Sequence, residues 1–195
     1  MYENEYLDVE LLSGGHRDVP LNLPWPAPGN PGSVITFETA TQWRTFVLSL
    51  SLPPGIPEIV AAKYRRAQML YFLAWLYFDL VKAGELVGLA TLELALNDRY
   101  GDKVQKRGKY RPFADLLKYM LVDGLTDDKV PMVQKYGGTV IGFVSGDSKP
   151  GLAERRNMMA HGDPFDGFPV GGLLELVRDL IVYSYRDMLP WPGKG

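Results

Sequence analysis

The sequence predicts an all-α fold, a bundle of about four main helices behind a proline-rich N-terminal arm. Three observations carry this. Eight of the 15 prolines fall at or before Pro57, and none occurs between Glu58 and Arg111. From Glu58 onward, apolar residues recur three and four positions apart in successive segments, the period of a helix with one buried face. Hydrophobic residues make up 46% of the 195 and charged residues 23%, enough apolar surface for one core.

The arm comes first. Gly14, Gly15, Pro20, Pro24, Pro26 and Pro28 argue against a helix or a central strand. Leu21, Leu23 and Trp25 require that this extended segment lie along a surface. Val34–Phe37 reads as a short strand, and Ala40, Trp43, Phe46, Val47 and Leu50 as a short amphipathic helix. Together these occupy residues 1–56.

The helical domain, 57–189, opens with Pro57 at a first helical position. Its first helix carries Tyr64, Met69, Phe72, Trp75 and Leu76 and is expected to reach Lys82, with Gly84 as its stop. Within it, Met69–Phe78 is apolar without interruption. That run is shorter than the ~18 residues of a membrane span. A helix apolar on every side is buried on several, by the core and by a second subunit. The next helix, 85–100, turns Leu86, Leu89, Leu92, Leu96 and Tyr100 inward and ends at Gly101.

A basic loop follows, with Lys103, Lys106, Arg107, Lys109 and Arg111 against the single Asp102. Residues 113–123 read as a third helix on Leu116, Leu117, Met120 and Leu121. Residues 124–147 read either as a helix broken at Gly137-Gly138 or as two short pieces. Ser148 as N-cap and Pro150 in the first turn open a helix through Ala160, which Gly162 stops. The last helix is expected over Leu173–Met188, and residues 190–195 form a tail.

Composition excludes several chemistries. The chain has no cysteine, so disulfides, thiolate nucleophiles, Cys-ligated zinc and iron–sulfur clusters are out. Its only histidines are His16 and His161, which rules out a His-rich metal site. No metal and no cofactor is called for. The net charge of −2 argues against non-specific coating of nucleic acid while leaving room for a local basic cleft. The acidic start, Met1–Glu5, lacks an apolar signal core. A cytoplasmic protein without membrane attachment is the expectation.

One segment carries chemistry: Glu154-Arg155-Arg156-Asn157-Met158-Met159-Ala160-His161-Gly162. On a helix Asn157 and His161 lie about 40° apart, whereas Arg156 and His161 lie about 140° apart. The arginine and histidine therefore meet only if the helix ends near His161, or across a dimer axis. An imidazole exchanges its proton near neutral pH and can serve a ribose 2′-hydroxyl or a leaving 5′-oxygen. A guanidinium can hold the developing phosphorane charge by paired hydrogen bonds, and Asn157 would orient either group. One histidine cannot be acid and base at once; two copies of the motif would supply both.

These residues resemble the HEPN superfamily, whose signature is Arg, a polar residue, three to five further residues, then His. Arg156-Asn157-Met158-Met159-Ala160-His161 fits it, followed by Gly162. Ala90–Gly101 is similar to that family's early helix, with Glu93 on an apolar face and Arg99-Tyr100 near the end. The similarity covers Glu58 to Met188, apart from residues 126–147. It implies a helical homodimer acting as a metal-independent endoribonuclease on single-stranded RNA, in toxin or defence systems, restrained by an antitoxin-like protein. It would make Arg156 and His161 catalytic and Asn157 supporting.

The alternatives are a non-catalytic nucleotide-binding or scaffold module of the same family, or a helix end where His161 meets the last carbonyls. Glu93 either faces solvent or orients Arg156 from within the bundle. Lys103, Lys106, Arg107, Lys109 and Arg111 are the candidate RNA contacts, with Tyr110 to stack on a base. His16 sits in a glycine-rich loop.

Overall fold

A computed structural model describes residues 7–12, 19–108, 111–162 and 168–189. His16, Lys109, Tyr110 and the tail 190–195 lie outside the described residues. The protein is predominantly helical, as expected, with a two-stranded sheet added at the front.

The proline-rich segment is an antiparallel hairpin rather than a lone extended arm. Strand β1 (Leu21–Pro24) pairs with β2 (Val34–Phe37), Leu21 facing Phe37 and Leu23 facing Ile35. Ala27 and Asn30 exchange both backbone hydrogen bonds to close it, at 3.0 and 2.9 Å. Both strands are edges, so Pro24 is tolerated where it ends β1. Leu21, Leu23 and Trp25 are buried in the common core. Helix α1 (Ala40–Ser49) begins with a reciprocal cap: the Thr39 hydroxyl accepts from the Gln42 N–H, and the Gln42 side chain accepts from the Thr39 N–H.

The first long helix is shorter than its apolar pattern. Helix α2 (Glu58–Leu73) stops well before Lys82, the chain turns through residues 74–79, and α3 runs Leu80–Tyr100. Gly84 is therefore not a stop but an interior residue of α3. A β-carbon there would meet Tyr71 Cδ2 at 2.5 Å, so the glycine is the notch into which the tyrosine ring of α2 packs. Trp75 stays buried in the turn, which explains why the apolar run outlasts the helix.

Helix α4 (Phe113–Val122) follows the basic loop, as expected. Residues 124–147 resolve into a 3₁₀ turn at Asp127–Lys129 and two short helices, α5 (Pro131–Tyr136) and α6 (Ile141–Ser145), split by Gly137 and Gly138 at φ +82° and +87°. Helix α7 (Leu152–Ala160) starts later than Ser148 because the Ser148 N–H donates to the Gly142 carbonyl at 2.9 Å and so closes the preceding turn.

Helix α8 (Leu173–Ser184) ends four residues before Met188. Arg99 explains the stop: its Nε donates to the Ser184 carbonyl at 2.8 Å while its Nη2 grips Asp187 at 2.6 Å. Leu173, Leu174, Val177, Leu180 and Ile181 bury one face of α8, which packs on α3. Its buried carboxylates are answered in place. Glu175 accepts from Trp25 Nε1 at 3.3 Å and from the Tyr136 hydroxyl at 3.1 Å, and Asp179 pairs with Arg178 at 2.8 Å. Burial pushes the Asp179 carboxyl up, against the lowering pull of Arg178. Among the described residues, no helix is long and apolar enough to cross a membrane.

Candidate active site

Helix α7 packs against both α3 and α4, and this is what gives Arg156 its surroundings. Arg156 Nη2 reaches Glu93 Oε1 at 2.6 Å, and its guanidinium lies 5.7 Å from the centroid of the Phe113 ring. Glu93 therefore faces the bundle and holds Arg156. Both partners are partly exposed, at 25% and 30%, so the pair contributes at most about 1 kcal/mol to stability. Its consequence is positional. Glu93 takes one of the guanidinium donors, and among the described residues the buried Nε–H has no acceptor.

The pair forms one wall of a cavity of about 640 Å³. Glu93 and Asn97 come from one face of α3, one turn apart, and Lys63 comes from α2. Lys106 and Arg111 come from the basic loop, Arg156 from α7. Ala90, Leu94, Phe113 and Leu116 supply an apolar floor. Arg111 is fixed across the loop: Nη1 donates to Asn97 Oδ1 at 3.3 Å and Nε to the Val104 carbonyl at 3.2 Å. Gly101 sits directly beneath it, where a β-carbon would approach Arg111 Cζ to 3.3 Å.

The remaining expected site residues go elsewhere. Lys103 is exposed and does not line the cavity. Arg107 pairs with Asp115 at 3.1 Å, also off the cavity. Asn157 is exposed, and so is His161, which caps the end of α7 with its N–H donating to the Asn157 carbonyl at 3.0 Å. Gly162, at φ +69°, turns the chain away. The helix does end at the histidine, yet His161 is not brought to the cavity that Arg156 lines.

Lys63 was not legible as a site residue. It is one of three basic residues in Lys63-Tyr64-Arg65-Arg66, and only the packing of α2 on α3 selects it. Asn97 had a signal: with Ala90, Glu93 and Leu94 it completes an i, i+3, i+4, i+7 face. Among the described residues no three histidine, aspartate or glutamate side chains are grouped as metal ligands. Compared with protein-family models, curated proteins and solved structures, the chain matches none of them.

Proposed function

We propose that this protein is a metal-independent endoribonuclease of the HEPN type, cutting single-stranded RNA in a site completed by a second copy of the chain. The observation that carries the reading is Arg156, held by Glu93 at 2.6 Å on the wall of a cationic cavity and five positions before an exposed histidine. His161 takes the proton from a ribose 2′-hydroxyl as that oxygen attacks the adjacent phosphorus. The P–O5′ bond breaks, and His161 of the second copy protonates the leaving 5′-oxygen. The products are a 2′,3′-cyclic phosphate and a 5′-hydroxyl. Arg156 stabilises the phosphorane through the donors Glu93 leaves open. Asn157 supports His161 from one turn back. In this reading the protein is a cytoplasmic toxin or defence component, and a neutralising protein partner restrains it.

A second reading has a specific observation in its favour. The cavity and His161 are separate within one protomer, as suits a nucleotide-binding module that does not cut. The test is cleavage of a labelled single-stranded RNA in EDTA by wild type, His161→Ala and Arg156→Ala. Cyclic phosphate ends from the wild type, with both variants inactive, support the ribonuclease. A wild type that leaves RNA intact while binding it supports the module. Equal cutting by all three removes Arg156 and His161 from the chemistry.

A further inference from the structure

The cavity holds more positive charge than a phosphodiester chain needs at one place. Of the four cationic residues that line it among the described residues, Arg156 is offset by Glu93. Arg111 is bound to neutral acceptors, and among the described residues its nearest carboxylate, Asp102, is 3.9 Å away and fully exposed. Screening by solvent leaves that pair weak. Among the described residues, Lys63 and Lys106 pair with no carboxylate. Three cations thus remain largely uncompensated around one open cavity.

The volume matters as much as the charge. At about 640 Å³ the cavity falls in the range of small-ligand sites, roughly 300–1,000 Å³, and accommodates one nucleotide with its phosphate. Lining one cavity of nucleotide size, the three cations favour the ligand group that carries the most negative charge in the smallest space. An internal phosphodiester brings a single negative charge. A terminal phosphomonoester brings about −1.5 to −2 at pH 7, with three acceptor oxygens. The apolar floor suits the nucleoside body, and Asn97 stands beside it as a polar contact.

We infer that this cavity is a receptor for the terminal phosphomonoester of a nucleotide, bound by Lys63, Lys106 and Arg111 beside Arg156. The inference goes beyond the ribonuclease reading and does not rest on it, since it needs neither His161 nor cleavage. Two sources share the chemistry, a free nucleoside monophosphate and the phosphorylated end of an RNA.

Binding is measured by calorimetry on the His161→Ala protein, with three probes. They are uridine 5′-monophosphate, a short RNA phosphorylated at one terminus, and its unphosphorylated twin. The expected result is at least tenfold tighter binding of the phosphorylated RNA than of its twin. Lys63→Gln and Arg111→Gln each abolish that preference with the circular dichroism spectrum unchanged. Lys118→Gln, an equal loss of charge on an exposed part of α4 away from the cavity, keeps it. Tight binding of the mononucleotide as well as the RNA identifies the phosphomonoester itself as the ligand; binding of the RNA alone identifies a phosphorylated end. Both uphold the receptor. Equal affinity for the two RNAs together with no binding of the mononucleotide overturns it, as does a preference that survives in both cavity variants. Wild-type cleavage with neither this preference nor mononucleotide binding would remove the receptor and leave the ribonuclease, whereas the preference in a wild type that never cuts would do the reverse.

Discussion

Arg156 and His161 share a short helix, and their surroundings differ because of where the helix packs. Arg156 lies under α3 and α4, where Glu93 and Phe113 fix its plane; His161 lies past the last helical residue, in solvent. The guanidinium fork therefore matters more than its charge. Arg156→Lys keeps the charge but loses paired donation, and if the proposed ribonuclease reading holds, RNA cleavage is expected to fall about 10²–10³-fold, as for loss of a transition-state donor. Glu93→Gln keeps an acceptor but no charge. Its expected effect is about a tenfold loss in kcat with KM nearly constant. Because a half-exposed ion pair contributes at most about 1 kcal/mol, Tm should move by no more than about 4 °C. A shift in KM instead would place Glu93 in substrate binding. At this scale the sequence shows the five-residue spacing of Arg156 and His161, but it leaves Glu93 open between solvent and Arg156, and the packing of α7 on α3 decides it. Lys63 is not legible there, since no local signal tells which basic residue of α2 faces a neighbouring helix.

Elements were harder to bound than to find. The hydrophobic period locates α2, α3, α4 and α8, but a period cannot reveal a turn made inside an apolar run, and so the pattern runs as helix across the break at residues 74–79. Gly84, in the interior of α3, makes the consequence of that turn testable. Ordinarily Gly→Ala in a helix interior gains about 1 kcal/mol. At Gly84 the new methyl would enter the Tyr71 ring at 2.5 Å and sit 3.1 Å from the Ala67 carbonyl oxygen. Overpacking of that kind costs about 1–3 kcal/mol, so Gly84→Ala is expected to destabilise. Gly88, whose β-carbon would rest 3.4 Å from Leu174, is expected to gain about 0.5–1 kcal/mol on the same change. Urea unfolding of the two variants checks the contrast.

The end of α4 yields a pH prediction. Burial works against ionisation of Asp123, but hydrogen bonds from Arg186 and Tyr100, with the Arg186 charge, hold its carboxyl below the usual carboxylate range. A depressed carboxyl contributes stability that is full above its unfolded value and is lost as pH falls through the folded one. Wild type is therefore expected to lose stability below the normal carboxylate range by more than Asp123→Asn does, measured by urea titration at pH 7 and pH 3.

Across the whole molecule, the front hairpin belongs to the same core as the helices. Trp25 is 1% exposed and donates to Glu175 on α8, which also accepts from Tyr136 and pairs with Arg178. Trp25→Phe removes one donor from a buried carboxylate, and a loss of about 1–2 kcal/mol is expected. If the hairpin were an appendage, that loss would appear as a separate early transition. One cooperative transition at lower denaturant is the expected trace. The arm's docking was legible from its apolar residues, while its hairpin pairing was not, because prolines mask a strand whose partner lies beyond a loop.

The Trp25–Glu175 contact joins residues 150 positions apart. During synthesis the hairpin leaves the ribosome long before the carboxylate that its indole requires. At ~5–20 residues per second, the interval is on the order of ten seconds. Throughout it, Leu21, Leu23 and Trp25 remain without their final shelter, and translation speed itself becomes a determinant of how much nascent chain is captured by chaperones.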